Sequence, residues 1–183
     1  LYQVGSSQEG LEHIKRGVEL DPLSPRSHVS LANAYYFDRQ FDQALEAVRA
    51  AFDLDPNHTR YFLARIYLEK GMYEEAIAEF RKVGMPWCGG FLGNTYARAG
   101  RVREARDCLR EMKERWKEHH LGAMDVVYIY AGLGEKDHAF EWLERAYEEN
   151  ELGMAYLRID PPLDPLRSDP RFKDFLRRMN FPS

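Results

Sequence analysis

A repeating pattern of small and aromatic residues constrains the fold of this chain more than any other feature. A small residue recurs at successive spacings of 34, 32, 29 and 34 residues, at Gly10, Ala44, Ala76, Ala105 and Ala139. A tyrosine lies nine residues before each alanine, at Tyr35, Tyr67, Tyr96 and Tyr130. A period of about 34 residues is typical of repeat proteins, in which each unit is one supersecondary element. The chain is therefore expected to form a row of similar units.

The residue types within one unit predict two antiparallel helices joined by a short turn. An alanine on one helix lets the neighbouring helix approach closely, and a tyrosine on the partner helix fills the remaining space. Glycine stands five residues before the alanine at Gly71, Gly100 and Gly134, where it can end a helix in the left-handed conformation. Arg39 takes this place in the second unit and breaks the rule. Neither helix of such a pair can bury its apolar face alone, so the units must stack.

This pattern resembles the tetratricopeptide repeat, a motif of about 34 residues that combines a leucine followed by a small residue with a later tyrosine and alanine. The leucine and its small neighbour are found at Leu31-Ala32, Leu63-Ala64 and Leu92-Gly93. The resemblance covers about residues 1–150. It implies an all-α fold, a right-handed superhelical solenoid of antiparallel helix hairpins with a C-terminal capping helix.

The repeats predict the domain organisation and the helix boundaries. We expect a solenoid over 1–150, with a partial repeat 1–24 and repeats 25–56, 57–85, 86–119 and 120–150, and a Pro-rich connection and capping helix over 151–183. The predicted helices span 1–4, 7–20, 25–38, 41–54, 58–70, 73–83, 88–99, 102–118, 121–133 and 136–149. Two units are short, so tightened linkers are expected near Pro56 and Val83. Lys113 to Glu118 extend one helix beyond the motif and are expected to form a solvated overhang.

The chain after residue 150 has the features of a cap for the end of a solenoid. Prolines between residues 161 and 165 favour an extended connection. Ser168 is the expected N-cap of a following helix, with Pro170 in its first turn. Phe172 and Phe175 then begin an apolar stripe at helical spacing that can cover the end of the stack. An alternative is that this stripe docks a partner.

The end of the sequence also resembles the end of large bacterial signalling proteins. Residues 131–149 and 164–172 carry this similarity. Such proteins join an amino-terminal winged-helix, kinase or nucleotide-cyclase domain to a tetratricopeptide carboxy-terminal half, so the resemblance implies a regulatory fragment of a bacterial protein. No kinase, cyclase or DNA-binding motif lies in these residues, and the resemblance therefore implies none of those activities for this chain.

The composition and the motif content narrow the possible functions. The aromatic fraction of 13% argues against disorder, and the formal net charge of -4 argues against a phosphate-binding surface. The sequence has no GxSxG, HExxH or P-loop motif. It also has no metal-ligand spacing around Cys88 and Cys108, which we expect to be buried core residues. We therefore expect no enzyme activity, cofactor, metal, nucleic acid or membrane partner, and a cytoplasmic location.

The first helices of stacked hairpins line a concave groove, where we expect a protein or peptide to bind. The candidate residues lie on the side of each first helix that faces away from its partner helix: Arg26, Asn33, Tyr36, His58, Tyr61, Arg65, Trp87, Asn94, Arg98, Met124 and Tyr128. Peptide recognition favours aromatic side chains and arginine. Three arginines on this surface of an acidic protein predict a partner of acidic character.

Three alternatives remain open at this stage. The aromatic candidates could instead be partly buried packing between helices. Leu1, Tyr2 and Val4 could leave an apolar, truncated N-terminal end that pairs with another copy, which would make the chain a self-assembly module and a possible homo-oligomer. An RNA-binding helical repeat has a similar period, but the sequence shows no basic stripe along successive first helices.

Overall fold

The computed structural model describes residues 8–119 and 122–179, and these residues contain helices and no strand. The predicted helix at 1–4 and the apolar end formed by Leu1, Tyr2 and Val4 lie outside the described residues. The chain divides into two compact units, with the boundary between Val83 and Gly84. We call the part before this boundary unit 1 and the part after it unit 2.

Unit 1 is a stack of helix hairpins. Its helices are α1 (Gln8–Leu20), α2 (Pro25–Phe37), α3 (Phe41–Leu54), α4 (Pro56–Glu69) and α5 (Tyr73–Val83). The helices α2 and α3 form one antiparallel hairpin, and α4 and α5 form the next. The first helix of the second hairpin packs against both helices of the first. Unit 1 thus has the layered arrangement that the repeats predict.

Unit 2 contains two hairpins and the end of the chain. Its elements are α6 (Met85–Arg98), α7 (Val102–His119), α8 (Ala123–Leu133), α9 (Lys136–Glu148), the 3₁₀ segments Leu152–Tyr156 and Pro161–Leu166, and α10 (Pro170–Arg178). The hairpins are α6 with α7 and α8 with α9, and α8 packs against α6, α7 and the second 3₁₀ segment. We call residues 151–179 the tail. All predicted helices among the described residues are present, with ends within three residues of the prediction.

The two linkers that were expected to be tight are short and bent. Only Asp55 separates α3 from α4, and it serves as the C-cap of the first and the N-cap of the second. Gly84 precedes α6 with a positive φ of 95°. Cys88 then departs from helical geometry, with φ at -141°, so α6 is kinked in its first turn. The shorter connections between successive repeats are therefore accommodated by changes in backbone conformation at these two linkers.

The same hydrogen bond closes the turn of each hairpin. The left-handed residue is Arg39, Gly71, Gly100 or Gly134, with φ values of 60°, 73°, 76° and 74°. The N–H of the following residue donates to the carbonyl of the repeated tyrosine, Tyr35, Tyr67, Tyr96 or Tyr130, at 2.8–3.0 Å. This is the Schellman arrangement, which satisfies carbonyls at the end of a helix. Arg39 therefore adopts the backbone conformation that glycine has in the other three turns.

Small residues allow close packing between the helices. The repeated alanines Ala44, Ala76, Ala105 and Ala139 are all 0% exposed. Cys88 and Cys108 are also buried, as predicted. A larger side chain at such a fully buried position would have to displace the packed helices, which is destabilising.

Three local predictions about unit 2 were wrong. The prolines between residues 161 and 165 do not form an extended connection, because Pro161–Leu166 is a 3₁₀ segment. Asp169, not Ser168, is the N-cap of α10, because its carboxylate accepts a hydrogen bond from the Arg171 N–H. The segment from Lys113 to Glu118 is not a solvated overhang. The Trp116 ring packs edge-on against Trp142 at 5.1 Å, and its Nε1 donates to Glu149, so the end of α7 is attached to α9.

The left-handed turn positions give a direct test of backbone strain. We expect Arg39→Gly to stabilise the protein by about 0.5–1 kcal/mol, because glycine adopts a positive φ without the steric cost of a β-carbon. Gly100→Ala, at the equivalent turn, is expected to destabilise it by about 1 kcal/mol. Urea unfolding followed by circular dichroism measures both changes. Destabilisation by Arg39→Gly would contradict this account of the turn.

The contact between α6 and α8 gives a second test. A β-carbon on Gly90 would lie 2.4 Å from Asp125 Oδ1 and 2.6 Å from the Asp125 Cα, so the two helices would have to separate. We expect Gly90→Ala to destabilise unit 2 by about 1–3 kcal/mol in thermal unfolding. Gly17→Ala is the control, because a β-carbon there has no neighbour within 4 Å, and it should be neutral or mildly stabilising. Equal melting temperatures for the two variants would refute the close approach.

Candidate partner-binding surface

The structure places the eleven candidate residues in two groups that belong to different units. Unit 1 holds Arg26, Asn33, Tyr36, His58, Tyr61 and Arg65, on α2 and α4. Unit 2 holds Trp87, Asn94, Arg98, Met124 and Tyr128, on α6 and α8. Each residue lies on the first helix of a hairpin, and each group is a feature of its own unit.

Arg65 is the centre of the unit 1 group. Its guanidinium lies 4.4 Å from the centroid of the Tyr36 ring on α2 and 5.7 Å from the rings of Phe37 and Tyr61. Only 9% of Arg65 is exposed. Stacking on aromatic rings fixes the plane of a guanidinium without removing its charge. The prediction that Arg65 lines an open groove is therefore wrong, because its guanidinium is buried in unit 1 between the first helices α2 and α4.

Tyr36 is a core residue, which differs from the ligand contact that we predicted. It is 1% exposed, and its ring packs edge-on against Phe37 and Phe41, with centroid distances of 5.3 and 5.9 Å. The buried Tyr36 ring therefore packs against the Arg65 guanidinium. Tyr61 is half-buried, and its ring contacts Phe80 at a centroid distance of 6.2 Å. One part of Tyr61 therefore packs in the core while the rest remains accessible.

The other candidates in unit 1 lie nearer to solvent. Arg26 and His58 are exposed in the first turns of α2 and α4, and Asn33 is half-buried. Asp55 caps α4 by accepting a hydrogen bond from the His58 backbone N–H at 3.2 Å, and its other oxygen lies 2.8 Å from His58 Nδ1. The backbone hydrogen bond is the main cause that lowers the pKa of Asp55. This cap holds His58 at the N-terminus of α4.

Charge is divided unevenly between the two kinds of helix in unit 1. The first helices α2 and α4 carry Arg26, Arg60, Arg65 and Glu69. The second helices α3 and α5 carry Asp42, Glu46, Asp53, Glu74, Glu75 and Glu79 against Arg49, Arg81 and Lys82. The Arg60 guanidinium forms an ion pair with Glu79. The first helices are thus net positive in a protein whose net charge is -4.

Three of the five candidates in unit 2 are buried. Asn94, Met124 and Tyr128 are 0%, 4% and 6% exposed. Asn94 Nδ2 donates to the Tyr128 carbonyl at 2.7 Å, which joins α6 to α8. The Tyr128 ring lies against Phe91 at a centroid distance of 4.6 Å. The prediction that these three residues line an open groove is corrected here, because they pack inside unit 2.

The tail covers the face of α8 on which a ligand had been expected. Tyr128 donates its hydroxyl hydrogen to Asp160 Oδ2 at 2.7 Å, and Asp160 is only 3% exposed. The backbone of Gly153 lies so close to Met124 that an added β-carbon would be 2.9 Å from Met124 Cγ. Leu157 and Leu163 are 0% exposed. The surface of α8 is therefore occupied by the protein's own chain.

A carboxylate of the tail also caps α8. The oxygens of Glu151 accept hydrogen bonds from the N–H groups of Gly122, Ala123 and Met124 at 2.6, 2.7 and 2.9 Å. A helix N-terminus has unsatisfied N–H groups and a partial positive charge, so a carboxylate stabilises it. The tail is thus held to α8 by both apolar burial and charge-assisted hydrogen bonds.

Glu151 and Asp160, which attach the tail to α8, are not among the predicted site residues. The repeat period contains a signal for Asp160, because it lies 32 residues after Tyr128 and so falls at the next expected unit. No comparable signal exists for Glu151, whose role depends on the path of the chain between α9 and the first 3₁₀ segment. Of the unit 2 candidates, Trp87 remains 80% exposed and Arg98 is half-buried.

Metal and membrane features are absent from the part of the chain that the structure describes. Within residues 8–119 and 122–179, no three His, Cys, Asp or Glu side chains converge as metal ligands. Over the same residues, no helix combines the length and the apolar character that crossing a membrane requires.

Comparisons with known proteins identify the type of repeat. Residues 2–83 match the family model described as anaphase-promoting complex, cyclosome, subunit 3, and residues 92–116 match the model described as PPR repeat. Neither match spans half of the chain. No curated protein matches the sequence.

A solved structure supports the same fold. The chain is similar to the structure titled "Crystal structure of MamA", with a TM-score of 0.54 and 18% sequence identity, over 80% of this chain and 90% of that chain. An identity at this level shows the fold alone. Together with the hairpins, the repeated turns and the two family models, it identifies the chain as an all-α helical-repeat protein of the tetratricopeptide type.

Proposed function

We propose that this chain is a non-catalytic protein-interaction module that binds a peptide or partner domain of acidic character on unit 1. The binding surface consists of Arg26, Asn33, His58 and Tyr61, with the buried Arg65 guanidinium between the same helices. The observation that carries the proposal is the net positive charge of the first helices α2 and α4, on which Arg26 is exposed and Arg65 is buried among aromatic rings. Repeats of this type are protein-interaction scaffolds, and preformed grooves of this kind bind extended or helical peptides.

The charge and the accessibility of unit 1 support the choice of partner. Its first helices are net positive, while its second helices are net negative. Complementary charge steers a partner to one face and repels it from the other. Tyr61 offers a partly fixed, half-buried aromatic side chain, and tyrosine is enriched among residues that dominate binding energy.

Peptide selection with charge-reversed variants tests this proposal. Linear peptides selected from a random display library against the whole chain should be enriched in Asp and Glu. Arg26→Glu should weaken the best selected peptide about tenfold in fluorescence anisotropy, because it places a like charge beside the ligand. Arg49→Glu, an exposed arginine on the second helix α3, is the matched control and should leave the affinity unchanged.

Two results of this experiment would contradict the proposal. Arg26→Glu and Arg49→Glu are both at exposed positions, so each should keep the circular dichroism spectrum of the parent. Equal affinities for the two folded variants would exclude the first-helix surface as the binding site. Selected peptides without acidic enrichment would exclude the charge assignment.

We further propose that the module is the regulatory C-terminal part of a larger bacterial signalling protein. Support comes from the resemblance of residues 131–149 and 164–172 to the ends of such proteins. The sequence of the complete gene tests this proposal, and an effector domain encoded upstream is the expected result. A gene that encodes no further domain would contradict it.

Self-association is a second candidate function, favoured by two exposed leucines. Leu20 at the end of α1 and Leu23 in the next turn are each 75% exposed. Neighbouring apolar side chains that are exposed to this extent favour contact with another copy. Light scattering over a range of concentrations should then show a rising mass that Leu20→Ser with Leu23→Ser abolishes. A constant monomer mass for the parent chain would remove this candidate.

The charge of unit 2 argues against an RNA-binding function, although residues 92–116 match a PPR repeat model. The first helices α6 and α8 carry only Arg98 and Asp125 as charged residues. Affinity for single-stranded nucleic acid depends on a positively charged groove along the backbone. We therefore expect no retention of single-stranded RNA in a filter-binding assay at low salt.

A further inference from the structure

Two carboxyl groups from different segments lie at the N-terminus of α8. Glu151 of the tail takes the N–H groups of Gly122, Ala123 and Met124. Asp125 lies in the first turn of the same helix but turns towards α6, where its Oδ1 accepts a hydrogen bond from the Gly90 N–H at 3.3 Å. The carboxylate that caps α8 thus comes from Glu151 of the tail. Asp125, which belongs to α8 itself, is hydrogen-bonded to α6 instead.

Asp125 is half-buried, and its carboxyl packs closely against the backbone of α6 and of Gly122. A β-carbon on Gly90 would be 2.4 Å from its Oδ1, and one on Gly122 would be 3.2 Å from its Oδ2. The ionisable groups that act on it are Glu151 from the tail and Arg115 from α7. The Cys88 thiol of α6 also lies nearby, but burial raises its pKa to about 12, so it stays neutral. Among these groups, only the charge of Glu151 raises the pKa of Asp125. The charge of Arg115 partly offsets that increase.

We propose that the attachment of the tail to α8 is a pH-responsive clasp, which closes more tightly when Asp125 is protonated. Protonation removes the repulsion between the two carboxylates and leaves Glu151 free to hold the three N–H groups. The clasp controls access to the face of α8 that contains Met124 and Tyr128, because the tail covers that face. This device is independent of peptide binding on unit 1.

The direction of the pH effect follows from the charge of Glu151. Burial, and then the charge of Glu151, raise the pKa of Asp125 from 3.8 to about 6 when the tail is docked. Opening of the tail removes the charge of Glu151 and so lowers this pKa, whereas the packing of Asp125 against Gly90 of α6 persists. Docking is therefore favoured most below the ordinary pKa, and the gain is lost as the pH rises through about 6.

Amide hydrogen exchange on the whole chain tests the clasp. The opening constant at Ala123 and Met124, corrected for the intrinsic exchange rate, should be about tenfold smaller near about pH 5 than near about pH 7.5. Asp125→Asn is nearly isosteric and cannot ionise, so it should show the smaller constant at both pH values. Glu144→Gln, at a carboxylate that pairs with Arg178, is the control and should keep the pH dependence of the parent.

Two results would overturn the proposal. One is an opening constant in the parent chain that does not change with pH, which requires no variant. The other is an Asp125→Asn chain that retains the full pH dependence, since the responsible group would then lie elsewhere. Glu151→Gln provides a further check, because it should enlarge the opening constant at both pH values and reduce the difference between them.

Discussion

The backbone hydrogen bond at the end of each first helix is the interaction on which the rest of the structure depends. In each hairpin it runs from the residue after the left-handed position to the carbonyl of the repeated tyrosine, at 2.8–3.0 Å. It reverses the chain within a few residues and brings the fully buried alanine of the second helix against the first. The residues that could bind a partner are therefore positioned by a turn that contains none of them.

The position eleven residues before each alanine shows how this scaffold is used. It is occupied by Asn33, Arg65, Asn94 and Tyr128. In unit 2, Asn94 donates to the carbonyl of Tyr128, and Tyr128 donates to Asp160, so each side chain joins its helix to the next layer. In unit 1, Arg65 stacks on Tyr36 of the preceding first helix. One repeated position thus contributes to packing between successive layers in unit 2 and, through Arg65, in unit 1 as well.

This equivalence explains what the sequence could and could not predict. The spacing of Ala76 from Gly71 predicted the turn and the helix ends, because both follow from local geometry. The same spacing placed Tyr61 and Met124 on one kind of surface but gave no information on what covers it. Met124 is buried because the tail returns over α8, and that path depends on contacts such as Glu151 with Gly122. Local periodicity predicts which face a residue occupies, whereas tertiary burial decides whether the face is open.

The central claim is that unit 1 offers the open first-helix surface, while the tail fills that of α8. Chemical-shift mapping of backbone amides in the whole chain, titrated with an acidic peptide selected against it, tests this claim most directly. The predicted result is a continuous set of shifted amides on α2 and α4, including those of Arg26, Tyr61 and Arg65. Shifts concentrated on α8 and the tail, with α2 and α4 unchanged, would contradict it.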